Sequence, residues 1–127
     1  MLGSAYPYTG KTESCKLDSQ NISPIRVSTL WGYNDPKVAL QYGPLGVYLQ
    51  AGTKAFGEYA GGIFNGVCSR RNFDHAVAIV GWGSSAEGVE YVTIRNSWGS
   101  KWGESGYMRI QLNGSCQLVY DTFVELA

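Results

Sequence analysis

The stretch that decides the fold is residues 74–83, which read Asp-His-Ala-Val-Ala-Ile-Val-Gly-Trp-Gly. A polar pair, Asp74 and His75, opens an apolar run that is typical of a buried β-strand and too short to cross a bilayer. His75 is the only histidine of the chain. A lone histidine is more often structural than catalytic. Its place at the mouth of a rigid strand makes it a candidate for chemistry, because such a position is well held.

A second informative segment is residues 96–107, which read Asn-Ser-Trp-Gly-Ser-Lys-Trp-Gly-Glu-Ser-Gly-Tyr. It follows a strand-like stretch, and a glycine-containing turn over residues 84–88 connects that stretch to the strand after His75. Two strands joined by a short turn lie side by side and antiparallel. His75 and Asn96 are therefore predicted to be neighbours. Taken alone, the two Trp-Gly pairs are better explained by aromatic packing in a glycine-rich turn.

The remaining segments predict an α+β chain that is predominantly antiparallel β, a barrel-like arrangement with one short helix at its side. The helix is predicted over residues 34–43, with Asp35 as N-cap, Pro36 at the first helical position and Gly43 as stop. A further helical turn is possible over residues 56–59. Asn113-Gly114 is a signal for a hairpin turn. Strands are predicted over residues 25–30, 45–50, 76–82, 90–96, 106–112 and 119–126.

Composition limits the classes of function. The chain has 127 residues, of which 44% are hydrophobic and 16% charged, as expected for one folded domain over residues 1–127. Ten basic residues balance ten acidic ones, so nothing favours nucleic acid or an anionic membrane as a partner. The sequence has no cluster of metal ligands and no phosphate-binding loop, so no metal or other cofactor is expected.

Together, these segments resemble the papain family of cysteine proteases, in unbroken order from about Ala5 to the C-terminus. Tyr6-Pro7-Tyr8 resembles the entry to the C-terminal half of that fold. Residues 59–64 resemble its Tyr-x-x-Gly-Ile-Phe segment, and residues 43–47 resemble its Gly-Pro-Val-Ser-Val strand, with Leu45 and Gly46 as departures.

The resemblance implies roles for three residues. His75 would pair with a catalytic thiol, stabilise its thiolate and protonate the leaving amine. Asn96 would accept a hydrogen bond from the other ring nitrogen and fix the orientation of the imidazole. Trp98 would cover that bond and exclude water from it, a role compatible with ordinary core packing.

The cysteines carry the next implication of the resemblance. The family's nucleophile lies in a Cys-Gly-x-Cys-Trp segment, and this sequence contains none. The resemblance implies a disulfide between Cys68 and Cys116, and a bond from Cys15 to an N-terminal half that is lacking here. The chain is thus expected to be the His/Asn-bearing half of an endopeptidase, inert alone and completed by a separate or cleaved N-terminal half. The alternative is a truncated, inactive relative that serves structure or protein binding.

The resemblance also implies a surface for the peptide substrate. Leu45, Phe73 and Ala76 would line the pocket for the second residue before the scissile bond, with Asp121 near its base and the backbone of Asp74 bonding the peptide. Asp121 would favour a basic side chain there, but it could equally be an exposed strand carboxylate. Disulfides and the resemblance suggest a lysosome, a vacuole or the cell exterior, although residues 1–7 lack the apolar core of a signal peptide. Asn21 and Asn113 begin glycosylation sequons.

Overall fold

The structure is a computed structural model that describes residues 7, 9–16, 35–69 and 71–123; for residues 120–123 it describes the strand alone. The predicted strand over residues 25–30 and the Tyr6-Pro7-Tyr8 signature fall wholly or partly outside this range. The same holds for Asn21 and for the last three positions of the predicted C-terminal strand.

The described part is built on a six-stranded sheet in the order β2-β5-β4-β3-β1-β6. Neighbouring strands are antiparallel except β2 and β5, which are parallel. The predicted α+β, mainly antiparallel class is thereby confirmed. The sheet is not a closed barrel, because β2 and β6 form its two edges. The elements are α1 (Pro36–Ala39), β1 (Leu45–Leu49), α2 (Lys54–Gly57), β2 (Ile63–Phe64), β3 (His75–Ser84), β4 (Glu90–Arg95), β5 (Tyr107–Gln111) and β6 (Val119–Phe123).

One face of the sheet carries the core. Along β1 the side chains alternate between buried and exposed, as expected of a strand with one face in the core. Phe56 of α2 covers this face and is completely buried. A fully buried phenylalanine contributes roughly 1.5–3 kcal/mol. The buried strand residues that form the core cluster with Phe56 are Leu45, Val47, Leu49, Val77, Ile79, Val92, Ile94, Met108 and Ile110.

Two one-turn helices are present where the sequence predicted one helix and a possible turn. The α1 helix begins as predicted, since Asp35 accepts a hydrogen bond from the Lys37 N–H and Pro36 occupies the first turn. The second helix, α2, begins at a Thr53 cap whose hydroxyl accepts from the Phe56 N–H at 3.3 Å. It persists because Phe56 is anchored in the core.

The two predicted turns have different outcomes. The turn between β3 and β4 closes a hairpin, with a 3.0 Å bond from the Gly88 N–H to the Ser85 carbonyl. The Asn113-Gly114 turn does not, because β5 pairs with β4 and β2, whereas β6 pairs with β1. The chain after Asn113 instead crosses to Cys116, which forms a disulfide with Cys68. The prediction of a hairpin at Asn113 was therefore wrong.

Candidate active site

The candidate site is centred on a hydrogen bond between His75 and Asn96. The His75 Nε2 and Asn96 Oδ1 atoms lie 2.8 Å apart. The backbone N–H of Ser97 also donates to Asn96 Oδ1, at 2.7 Å. Because that N–H is a donor, it requires an oxygen at this position and fixes which way the carboxamide faces. His75 Nε2 therefore donates to Asn96, which leaves Nδ1 as the acceptor of the neutral ring.

Each partner of this bond sits at the end of a strand. His75 opens β3 and is paired in register with Leu49 at the end of β1. Asn96 follows β4, is only 8% exposed, and donates its backbone N–H to the Gly106 carbonyl at 3.0 Å. The hairpin formed by β3 and β4 brings the start of β3 and the end of β4 to the same end of the sheet. The neighbourhood predicted from sequence is thus present.

Asp74 ties the start of β3 to the chain that leaves β1. Its carboxylate accepts from the Ala51 N–H at 2.6 Å and from the Gly52 N–H at 2.9 Å. Its own backbone N–H donates to the Leu49 carbonyl at 3.2 Å. Four residues are therefore linked by hydrogen bonds immediately before His75, and this fixes where the imidazole emerges from the sheet.

An aromatic cluster supports the imidazole. The Trp98 ring lies over His75, with centroids 5.0 Å apart and planes tilted by 30°. Phe56 meets Trp98 edge to face at 5.6 Å and stacks on Trp102 at 5.3 Å. The centroid of Phe56 is also 6.5 Å from that of His75. Such edge-to-face and offset pairs are the favoured aromatic geometries, and they hold the indole in one orientation. The sequence alone gave no sign that Phe56 belongs to this cluster.

A charged clamp holds the loop that carries Trp98. Both carboxylate oxygens of Glu104 accept from the Arg109 guanidinium, at 3.0 and 2.5 Å. Glu104 also accepts from the Gly62 N–H at 3.0 Å, and the Tyr59 hydroxyl donates to the Gly62 carbonyl at 2.6 Å. The guanidinium is the main cause that holds the pKa of Glu104 below its usual range, and burial opposes it. The clamp joins the turn after Trp98 to the segment after α2.

A glycine in this turn has a specific steric reason. Gly103 has φ +56, and a Cβ there would lie 2.5 Å from the Tyr107 carbonyl oxygen. Any side chain would therefore collide with backbone. This close approach lets the Glu104 N–H donate to the Tyr107 carbonyl at 2.9 Å, which closes the turn below Trp98.

The predicted substrate-side residues do not all share one surface. Phe73 is 40% exposed, and Ala76 is exposed beside His75. Leu45 is 4% exposed, points into the core and pairs with Ile79, so it does not lie beside Ala76.

Tyr48 takes the place predicted for Leu45. It is the cross-strand partner of Ala76 and is 44% exposed. Because side chains on a strand alternate, a three-residue displacement along β1 moves a side chain to the opposite face. Sequence reasoning missed Tyr48, although the alternation within 45–49 carried the signal.

Asp121 lies in β6, next to β1 in the sheet. The pairing runs from Gly46 with Thr122 to Val47 with Tyr120, so the register skips Asp121 at a bulge. The described structure does not extend to its side chain, and its predicted role stays a prediction.

Two hollows lie at opposite ends of β4. The one beside His75 is a shallow depression of about 400 Å³, lined by Ala76, Val77, Ala78, Arg95, Asn96 and Ser97. The larger, of about 470 Å³, lies between α1 and residues 111–118 and includes neither His75 nor Asn96. Asn96 lines the shallow one, and His75 lies next to its lining residue Ala76. There the Asn96 Nδ2 atom is buried and has no hydrogen-bond partner among the residues that the structure describes.

The described part of the chain has neither a metal site nor a membrane-spanning helix. No three His, Cys, Asp or Glu side chains come together there as a metal site. The helices described are also too short and polar to span a membrane.

Comparison with known proteins points in one direction. Residues 1–125 match the profile of the family described as papain family cysteine protease. The chain is 44% identical over 116 residues to cysteine proteinase COT44 of Brassica napus, a match that spans 85% of this chain and 34% of that protein. It is 42% identical over 116 residues to germination-specific cysteine protease 1 of Arabidopsis thaliana, spanning 85% of this chain and 30% of the relative. The chain thus spans about one third of the length of these curated relatives.

Solved structures agree with the sequence matches. The bromelain protease from Ananas comosus, in complex with the E64 inhibitor, superposes with a TM-score of 0.77 at 29% identity, over 98% of this chain and 62% of that one. The Carica candamarcensis cysteine protease CMS1MS2, in complex with E-64, gives a TM-score of 0.75 at 35% identity, over 98% and 61% of the two chains.

Proposed function

Because this chain belongs to the papain family of cysteine proteases, we propose that it is the part of a cysteine-type endopeptidase that supplies the acid–base histidine, His75, and its orienting partner, Asn96. The 2.8 Å bond from Nε2 to the Asn96 oxygen is the observation that carries the proposal. It leaves Nδ1 to face a thiol. Trp98, packed over the ring, supports the same role.

The proposed chemistry follows from these atoms. Nδ1 takes the proton of a cysteine thiol, and the resulting imidazolium stabilises the thiolate. The thiolate attacks the peptide carbonyl, and His75 returns the proton to the nitrogen of the leaving amine. The amine then leaves as its bond to the carbonyl carbon breaks. A water molecule, deprotonated by Nδ1 of His75, cleaves the resulting thioester, which releases the acid and regenerates the thiol. Throughout, Asn96 holds the ring through Nε2 without adding charge, which suits a site that already contains an ion pair.

We propose that the thiol comes from a different part of the polypeptide or from a separate chain. Cys68 and Cys116 are consumed by their disulfide. The remaining cysteine, Cys15, is exposed and is not proposed as the nucleophile. We propose that the partner that carries this thiol lies over the shallow hollow beside His75, which Asn96 lines. That partner is proposed to be an N-terminal half, in an oxidising compartment such as a vacuole, a lysosome or the exterior.

The substrate is proposed to be an extended peptide that lies along the mouth of β3. Tyr48, Phe73 and Ala76 are exposed side chains near His75, and they would contact the residues before the scissile bond. The Asp74 carbonyl would accept a hydrogen bond from the peptide. Asp121 is proposed to favour a basic residue in that pocket; replacing it with Ala should remove a preference for Arg over Leu.

Labelling native material with a thiol-directed epoxide probe tests the function. Label on the polypeptide that contains this segment, or on a co-purifying chain, is expected, and it should disappear in His75→Ala. The Asn113→Ala variant, which removes an exposed amide far from His75, serves as the matched control and should label normally. Labelling that survives His75→Ala would contradict the catalytic role. No label in the wild type, together with an unrelated bound protein, would identify a binding module instead.

A further inference from the structure

Asn113 stands at the far end of the sheet from the candidate site. It follows β5 just beyond the end of the sheet at which the Leu112 N–H donates to the Glu90 carbonyl. The Asn96 N–H donates to the Gly106 carbonyl at the opposite end of β4. The six residues of β4 separate these two ends of the sheet by about 20 Å, at 3.4 Å per residue. A group attached at Asn113 would therefore leave His75 open to a peptide.

The side chain of Asn113 is available for modification. Asn113 is exposed, and its carboxamide makes no hydrogen bond to any residue within the described ranges. Asn65 and Asn96, by contrast, both use their side-chain oxygens, on Ser115 and His75 respectively. Asn113 also begins the triplet Asn113-Gly114-Ser115, the acceptor pattern for N-linked glycans, and Ser115 is exposed as well.

We propose that Asn113 is an N-glycosylation site of this protein. The co-reactant is an oligosaccharide linked to a lipid pyrophosphate. A bond forms between Asn113 Nδ2 and the anomeric carbon of the first sugar, while the bond from that carbon to the pyrophosphate oxygen breaks. The lipid pyrophosphate leaves, and the proton lost by Nδ2 passes to a base of the transferring enzyme. The proposal rests on the proposed function only for the compartment, since disulfide formation and N-glycosylation share the secretory route.

The fold adds a competition between modification and closure of the turn. In the folded chain the Gly114 N–H donates to the Gln111 carbonyl at 3.4 Å, and the Ser115 N–H donates to Asn65 Oδ1 at 2.8 Å. The Ser115 carbonyl accepts from the Cys68 N–H at 3.3 Å, next to the disulfide. An acceptor triplet held at three points is a poor substrate for an enzyme that must bend it. Transfer should therefore precede closure of the Cys68–Cys116 disulfide, and slowing that closure should raise occupancy.

The test uses the full-length protein secreted from eukaryotic cells. The wild type is expected to lose one mass increment on glycosidase treatment, and Asn113→Gln and Ser115→Ala should each lack that increment. Ser115→Thr should keep it, and Cys116→Ser should increase the modified fraction. Asn21→Gln, made in parallel, separates the contribution of the other triplet. Deglycosylation in heavy-oxygen water marks Asn113 as labelled aspartate, whereas spontaneous deamidation at Asn-Gly before treatment leaves unlabelled aspartate.

Recovery of the peptide around Asn113 only in its sugar-free form, from secreted wild type with an intact Cys68–Cys116 disulfide and from Cys116→Ser alike, would overturn the proposal. So would a protein whose two cysteines are reduced in the cell, since that would place it outside the secretory route. Epoxide labelling, measured on the same Asn113→Gln sample, is expected to be unchanged. Loss of the sugar with retained, His75-dependent label would thus separate this proposal from the proposed function.

Discussion

The imidazole of His75 and the carboxamide of Asn96 are joined by a 2.8 Å hydrogen bond although they stand 21 positions apart in the chain. The bond is directed: the Ser97 N–H fixes the amide oxygen, and the oxygen then selects the Nε2–H form of the ring. The ring nitrogen that faces away from Asn96 is thereby set by a backbone group, the Ser97 N–H.

Replacing Asn96 with Ala should therefore lower kcat/KM by about 100-fold. An imidazole that is free to turn holds its reactive nitrogen about 1 Å away from the position needed for proton transfer. The proposed measurement is the rate of cleavage of a fluorogenic peptide by the full-length enzyme. Asn65→Ala, which removes a bond to Ser115 at the far side, should change this rate little. Equal losses in the two variants would argue against a role in orientation.

Phe56 should matter for both stability and activity. It is completely buried and contacts the rings of His75, Trp98 and Trp102. Phe56→Ala should reduce the free energy of unfolding by about 3–5 kcal/mol. Phe56→Leu should keep most of that stability but release the Trp98 ring. The free energy of unfolding should therefore change little in this variant, whereas kcat should fall. Urea unfolding and peptide cleavage measured together separate the two effects, with Val67→Ala at a 75% exposed site as control.

The Glu104–Arg109 clamp should make the free energy of unfolding vary with pH in the acidic range. The pKa of Glu104 is held below its usual range, chiefly by the hydrogen bonds from Arg109. A carboxyl with a lowered folded pKa stabilises the fold above its unfolded pKa, about 4.3, and this contribution is lost as the pH falls through the folded pKa. Glu104→Gln should cost about 1–2 kcal/mol at neutral pH, and the difference from wild type should shrink on acidification.

The matched control for the clamp is Glu58→Gln. Glu58 pairs with Lys54 at 3.7 Å on an exposed surface. Such pairs contribute little, so its unfolding curve should follow that of the wild type at each pH. A wild-type curve parallel to that of Glu104→Gln from neutral to strongly acidic pH would show that the clamp has no such linkage.

The Cys68–Cys116 disulfide joins positions 48 apart, and closing a loop of that length restricts the unfolded chain. Loss of the bond in Cys68→Ser should lower the free energy of unfolding by about 4 kcal/mol on the chain-entropy account. Denaturant unfolding of the variant, compared with wild type and with Val67→Ala at a 75% exposed site, measures this. An effect no larger than that of Val67→Ala would mean that the bond constrains little.

Leu45 and Tyr48 should give opposite phenotypes. Leu45 lies in the core, so Leu45→Ala should cost about 2–5 kcal/mol of stability and leave the ranking of substrates unchanged. Tyr48 faces Ala76 on the open side of β1, so Tyr48→Ala should change kcat/KM for the best peptides by about tenfold with a small stability cost. A library of peptides and a thermal melt, run on both variants, check this. The reverse pattern would restore Leu45 as the pocket residue.

Local pattern was sufficient for much of the fold and for the centre of the candidate site. The Asp35-Pro36 pair started a helix, and the turn after residue 84 closed a hairpin, because caps and short turns involve only neighbouring residues. The His75–Asn96 pair was predictable for the same reason, since one tight turn aligns the two strands that carry it.

The tertiary structure alone decided the rest. Tyr48 lies beside Ala76, where Leu45 was predicted to lie, because the cross-strand partner of a side chain depends on the register between β1 and β3. The Asn113 turn led to Cys116, not into a hairpin, because β6 found its partner in β1. Phe56 reached His75, and Glu104 reached Gly62, only through packing between distant segments. Caps and short turns depend on neighbouring residues alone and could be predicted, whereas register and core packing depend on the free energy of the whole folded chain.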